Sequence, residues 1–124
     1  MKSKKVIIAD DEFTTRRILE RLIRDNFRCR LQTADDGSEA IKLMIKEVPD
    51  LLILDMVMPV MNGLQVLKMM RENAKLSKVP VIACTAVDDD SIVKEIIKFG
   101  VKDYIKKPIE PDSIVQKITA VLDL

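Results

Sequence analysis

Histidine is absent from the 124 residues. That excludes serine–histidine–aspartate and cysteine–histidine catalysis, histidine-ligated metals and phosphohistidine chemistry on this chain. Tryptophan is absent as well, and tyrosine occurs once. A flavin carrier needs aromatic rings to sandwich its cofactor and a glycine- and hydroxyl-rich phosphate loop, so that class is poorly served here. The two cysteines, Cys29 and Cys84, are far apart and each lies in a β-prone run. They read as reduced, buried thiols and not as a disulfide. An excess of one charge is missing too. With 21 basic and 20 acidic groups the net charge is +1, which leaves no footprint for direct nucleic-acid binding and no polybasic membrane surface. The basic start, Met1-Lys2-Ser3-Lys4-Lys5, is followed by an apolar run of only Val6 to Ala9. That is too short for a signal peptide or a membrane span. A cytoplasmic chain without membrane insertion is expected.

Hydrophobic residues make up 48%, enough for the core of one domain, residues 1–124. Val6-Ile7-Ile8-Ala9, Leu51-Leu52-Ile53-Leu54 and Val81-Ile82-Ala83-Cys84 are continuous apolar runs, as central parallel strands buried on both faces require. Arg28 to Thr33 alternates polar and apolar, and Asp103-Tyr104-Ile105 is short and bounded by charge; both suit edge strands. Between the strands the apolar spacing turns helical: Ile18, Leu19, Leu22 and Ile23; Ile41, Met44, Ile45 and Val48; Leu64, Val66, Leu67 and Met70; Ile92, Val93, Ile96 and Ile97; then Ile114, Val115, Ile118, Val121 and Leu122. Pro49 and Gly100 follow helices, Asp88 to Ser91 offers capping oxygens, and Pro111 opens the last helix. Five strands alternating with five helices predict an α/β, flavodoxin-like (βα)5 three-layer sandwich. Its parallel five-stranded sheet would run in the order 2-1-3-4-5.

All strands of such a sheet end along one edge. Asp10 and Asp11 follow the first strand, Asp55 the third, Thr85 the fourth and Lys107 the fifth. Ligands of open α/β sheets bind at this edge, beside the switch point between the first and third strands. Three crowded carboxylates repel one another unless a cation joins them. With no histidine and no nearby cysteine, an all-oxygen site suits Mg²⁺ and neither zinc nor copper. The alternative is that Asp10-Asp11-Glu12 caps the first helix and is otherwise solvated. Asp55 follows four apolar residues, an awkward place for a carboxylate without a task. As a nucleophile it would take a phosphoryl group as an acyl phosphate. Mg²⁺, the Lys107 ammonium and the Thr85 hydroxyl would then each serve one phosphoryl oxygen. Met56, Met58 and Met61 read as gap-fillers beside the site.

Taken together, Ile7 to Asp11, then Leu54-Asp55-Met56-Val57-Met58-Pro59-Val60-Met61-Asn62-Gly63, then Thr85-Ala86, then Asp103 to Pro108 resemble the response-regulator receiver family. The likeness is greatest to its small stand-alone members of the chemotaxis type, and it runs from about Lys4 to the C-terminus. The resemblance implies that Asp55 is the phosphoacceptor. It implies further that Asp11, Asp55 and the Val57 carbonyl ligate Mg²⁺, with Asp10 assisting through water, and that Thr85 and Lys107 bind the phosphoryl group. The Lys107–Pro108 bond would be cis. The donor would be a histidine kinase or histidine phosphotransfer protein, docked on the first helix near Thr14, Thr15 and Arg16. Thr85 and Tyr104 would form the switch, with an edge-strand tyrosine filling a gap as the alternative for Tyr104. The fourth helix, fifth strand and fifth helix would meet an output protein or a second receiver. Lys94, Lys98, Lys102 and Lys106 lie on that side, where a plain solvated face reads equally well. No effector segment follows Leu124, so output is expected through binding or through a part of a longer natural chain. Val57 and Val87, each two places after a site residue, are expected to slow loss of the phosphoryl group by water.

Rival readings are weaker. A phosphatase of the haloacid dehalogenase type needs a second aspartate two places after its nucleophile, where Val57 stands. The chain is therefore expected to catalyse only its own phosphotransfer and dephosphorylation. A scaffold that never takes phosphate would not need all the site residues.

Overall fold

The computed structural model describes residues 3–86 and 90–122, apart from the side chains of residues 90–92. Val87 therefore lies outside the described residues, as do the side chains of the expected cap from Asp88 to Ser91. In chain order the elements are β1 (Lys4–Ala9), α1 (Phe13–Asn26), β2 (Cys29–Ala34), α2 (Gly37–Lys46) and β3 (Leu51–Asp55). They are followed by α3 (Gly63–Glu72), β4 (Val81–Thr85), α4 (Asp90–Lys98), β5 (Asp103–Lys106) and α5 (Pro111–Leu122). The strands pair in parallel in the order β2-β1-β3-β4-β5, the flavodoxin-like arrangement expected from the sequence.

Strand alternation decides which side chain enters which layer. Val6, Ile8, Leu51, Ile53, Ile82 and Cys84 point to one face, where α1 and α5 cover them with Leu19, Ile23, Ile114 and Ile118. Ile7, Ala9, Leu52, Leu54, Val81 and Ala83 point to the other, against Met44, Val66, Leu67, Met70 and Ile96 of α2, α3 and α4. This is why β1, β3 and β4 read as unbroken apolar runs: neither face sees water. β2 alternates half-buried and exposed residues as the sheet edge it is. It begins at Cys29 rather than Arg28 and extends to Ala34. Cys29 and Cys84 are unpaired thiols; Cys84 is buried as expected, whereas Cys29, at the start of the edge strand β2, is only half-buried.

The helical stripes in the sequence are wider than the contact they make. Ile18, Ile45 and Ile97 remain about half exposed, and Val48 sits beyond the end of α2 with its side chain in water. Caps fix where the helices begin. Asp36 accepts the Glu39 N–H at 2.8 Å, and Asn62 and Gln65 form a reciprocal capping box on α3. Gly100, with φ of 73°, turns the chain out of α4 in the left-handed region.

One arginine ties three segments together. From the last turn of α3, Arg71 donates to the carbonyls of Phe99 at 2.6 Å, Ser77 at 3.1 Å and Val79 at 3.1 Å. The end of α4 and the approach to β4 are thereby held to α3. At the opposite edge from the acidic strand ends, buried Lys5 pairs with Glu47 at 2.9 Å, and Arg30 joins the same carboxylate at 2.6 Å. These two partners hold the Glu47 carboxyl down at about 2. No helix among the described residues is long and apolar enough to cross a membrane.

Candidate functional site

The parallel register carries the chemistry-bearing residues to one edge. Ala9 pairs with Leu54, so Asp10 and Asp55 leave adjacent strands side by side; Asp55 pairs with Cys84, and Thr85 with Lys106. Asp55 and Thr85 are the last residues of their strands, not loop residues. Asp10, Asp55 and Thr85 are all buried, at 1%, 4% and 0% exposure, while Asp11 is exposed. One carboxylate oxygen from each of Asp10, Asp11 and Asp55 falls within 4.8 Å of the others. Lys107 reaches into this group, with Nζ 3.3 Å from Asp10 Oδ2 and 3.5 Å from Asp55 Oδ2. Its peptide bond to Pro108 is cis.

Backbone contacts fix the Asp55 carboxylate. Asp55 Oδ1 accepts the Val57 N–H at 3.2 Å, and the Met56 N–H donates to the Cys84 carbonyl at 2.9 Å. The Lys107 N–H donates to the Thr85 carbonyl at 2.9 Å, which ties the ammonium-bearing segment to the end of β4. Burial, and next the Asp10 charge, push the Asp55 carboxyl up from 3.8 to about 6; the Val57 amide and Lys107 pull the other way. The Lys107 ammonium is shifted up, because the attraction of Asp55 and Asp10 outweighs its burial.

The residues present fit a hard divalent cation. The donor set is all carboxylate oxygen, and Asp10 Oδ2 is buried without a hydrogen-bond partner among the described residues. The Lys107 ammonium, 3.3 Å away, supplies this oxygen one positive charge, but one ammonium set against three clustered carboxylates leaves room for a further cation. Asp10 also does the local work of a cap, since its Oδ1 accepts the Glu12 N–H at 2.8 Å. The capping and metal-ligating readings of Asp10 are therefore compatible.

The entrance of α1 differs from the sequence expectation. Of Thr14, Thr15 and Arg16, only Thr14 is exposed. Thr15 is buried and its hydroxyl donates to the Glu12 carboxylate. Arg16 folds inward, donating to the Asp10 carbonyl at 2.8 Å and pairing with Asp35 at 3.1 Å. The accessible apolar group at this end is Phe13, 65% exposed, with Arg16 and Arg17 stacked near its ring. Composition gives no signal for this, because the inward turn of Arg16 depends on the Asp10 carbonyl lying beneath it.

The loop after β3 is tightly constrained. The Met61 N–H donates to the Pro59 carbonyl at 2.7 Å across Val60, which has φ of 68° and is 81% exposed. A β-branched residue in the left-handed region is strained. Val60→Asn is expected to stabilise the fold by about 1 kcal/mol, since asparagine tolerates that conformation and no packing is lost. An unchanged or lower urea midpoint would contradict this. Met56 and Met58 fill the loop from inside and are buried in the core cluster.

Five parallel strands in this order, with three acidic groups, a hydroxyl and an ammonium at their ends, have the arrangement of a receiver domain. Residues 6–119 match the response regulator receiver domain family, and the chain belongs to that family, which acts in two-component signalling. It is 39% identical over 120 residues to the probable transcriptional regulator ycf27 of Guillardia theta, covering 96% of this chain and 45% of that protein. To the chemotaxis protein CheY-3 of Vibrio cholerae it is 34% identical over 122 residues, covering 98% of this chain and 94% of that protein. The chain thus spans about half the length of the ycf27 regulators and nearly all of the chemotaxis protein. A putative response regulator from Chloroflexus aurantiacus superposes with a TM-score of 0.91 at 29% identity, covering 99% of this chain and all of the other.

Proposed function

We propose that residues 1–124 form one receiver unit that accepts a phosphoryl group on Asp55 from a phosphohistidine donor. The observation that carries this reading is the placement of the Asp55 carboxylate. It is buried at the end of β3, 3.5 Å from the Lys107 ammonium and within 4.8 Å of two other carboxylates. An Asp55 oxygen attacks phosphorus, the donor's N–P bond breaks, and the imidazole leaves with the bonding pair. Lys107 neutralises one phosphoryl oxygen and the Thr85 hydroxyl donates to another. Asp10, Asp11, Asp55 and the Val57 carbonyl would hold Mg²⁺, which supplies charge neutralisation between the carboxylates and the phosphoryl oxygens.

The output step is part of the same proposal. A hydrogen bond from Thr85 to the new group draws the end of β4 towards Asp55. Half-buried Tyr104, packed on the cluster that contains Ala83 and Ile96, turns into the space released. The α4–β5–α5 surface then presents a different face to an output protein or a second receiver. The chain acts as a cytoplasmic phosphoacceptor switch and turns over no external phosphoester.

Incubation with Mg²⁺ and acetyl phosphate tests the acceptor. Intact mass is expected to show one added phosphoryl group on the wild type, and none on Asp55→Asn or when the metal is chelated. An adduct of equal yield on Asp55→Asn would move the site elsewhere.

A further inference from the structure

Two neighbouring hollows on the α3–α4 side, of about 350 Å³ and 570 Å³, share Lys98 and Phe99 in their walls. Together they make a trough lined by α3, by the connection from α3 to β4 and by the end of α4 through Lys102, and none of the acidic strand-end residues lines it. Lys68, Arg71, Lys78, Lys98 and Lys102 line it, against one carboxylate, Glu95. On a chain whose net charge is +1, this is a marked local segregation of positive charge. The four lysines make no ion pair with another described residue, whereas Lys5, Arg30, Lys107 and Lys117 elsewhere are each paired with a carboxylate. Between the lysines the trough is apolar, with Leu64 and Phe99 half-buried and Val79 buried.

The trough has held walls. Arg71 bonds the carbonyls of Phe99, Ser77 and Val79, and also the Gly100 carbonyl at 3.4 Å, so both sides are fixed to α3. Its guanidinium is spent on those carbonyls, and the lysines are left to meet a ligand.

We infer that the α3–α4 trough docks an acidic segment of a partner protein, one that sets apolar side chains between Leu64 and Phe99 and carboxylates against Lys68, Lys78, Lys98 and Lys102. Charge complementarity selects the class of occupant. A nucleic acid fits less well. Half-buried Phe99 lies against the core and does not stand out as a stacking platform, and the chain as a whole lacks a long-range positive field. The inference goes beyond phosphoryl acceptance and does not depend on it, because no site residue lines the trough.

The test is titration of the ¹⁵N-labelled full chain with a short peptide of alternating glutamate and leucine, with a DNA oligonucleotide and a lysine–leucine peptide run in parallel. Shifts confined to amides around Lys68, Lys98, Phe99 and Lys102, weakened by salt, are expected for the acidic peptide alone. K78E/K98E should weaken binding by about tenfold, each reversal exchanging a modest surface attraction for a repulsion. R21E/R24E, on α1, should leave it unchanged. Circular dichroism confirms that both variants are folded. No localised shifts, an equal loss in the α1 variant, or tighter binding of the oligonucleotide would each overturn the inference. Acetyl phosphate labelling of K78E/K98E at the wild-type level would show separately that the acceptor is untouched.

Discussion

Asp55→Asn is expected to be more stable than the wild type in the absence of divalent cations, by about 1–3 kcal/mol above about pH 7. The unfolded chain releases the Asp55 proton near 3.8, whereas burial and the neighbouring Asp10 charge hold that proton in the folded chain up to about 6. Between these values the folded state binds more protons than the unfolded state. The Asp55 contribution to wild-type stability is therefore most favourable below about pH 4, becomes less so as pH rises to about 6 and then levels off. Asparagine removes the buried charge and keeps an oxygen to accept the Val57 N–H. Its stability curve should lose that descent. Added Mg²⁺ should raise the wild type at neutral pH by ligand linkage and raise the variant less. Chelator-treated urea unfolding at several pH values measures all of this. A variant no more stable than the wild type at neutral pH would mean that Lys107 already compensates the Asp55 charge in full.

Gly63→Ala should carry the other large effect. A Cβ there would lie 2.6 Å from both Met56 Cα and Met56 Sδ, and 2.9 Å from the Asp55 carbonyl oxygen. The sulfur end could move; the backbone atoms belong to the segment that carries Asp55. The Gly63 N–H also donates to the Met56 carbonyl at 3.2 Å, which locks the first turn of α3 against the end of β3. We expect a loss of about 2–4 kcal/mol together with most of the acetyl phosphate labelling. Gly100→Ala is the contrast. Nothing lies within 4 Å of its Cβ position, and only its φ of 73° resists a side chain, so about 1 kcal/mol is lost and labelling is kept. Equal labelling by the two variants would detach the α3 entrance from the chemistry.

The sequence carries the fold unusually directly, because the central strands are buried on both faces. Val6 to Ala9, Leu51 to Leu54 and Val81 to Cys84 cannot be amphipathic in that setting, and their polar successors Asp10, Asp55 and Thr85 mark the sheet edge. The site was legible for the same reason: topology alone gathers those residues with Lys107. Other features were hidden because tertiary contacts decide them. Thr15 looks like an exposed helix-start threonine until Glu12 takes its hydroxyl. Arg71 looks like one surface arginine among many until the carbonyls of Phe99, Ser77 and Val79 converge on it. Val60 carries no mark of its left-handed backbone, which is imposed by the closing hydrogen bond from Met61 to Pro59. Ile18 and Ile45 extend their helical stripes past the sheet they cover, so periodicity overstates their burial.

The sheet order has a consequence for truncation. The acidic groups at positions 10, 11 and 55 come early in the chain, while the ammonium that faces two of them belongs to residue 107, beyond the edge strand β5. Because that ammonium belongs to the segment beyond the edge strand, the charge balance of the acidic cluster depends on completion of the sheet. Truncation before β5 would leave Asp10 and Asp55 facing each other without the cation that now lies between them.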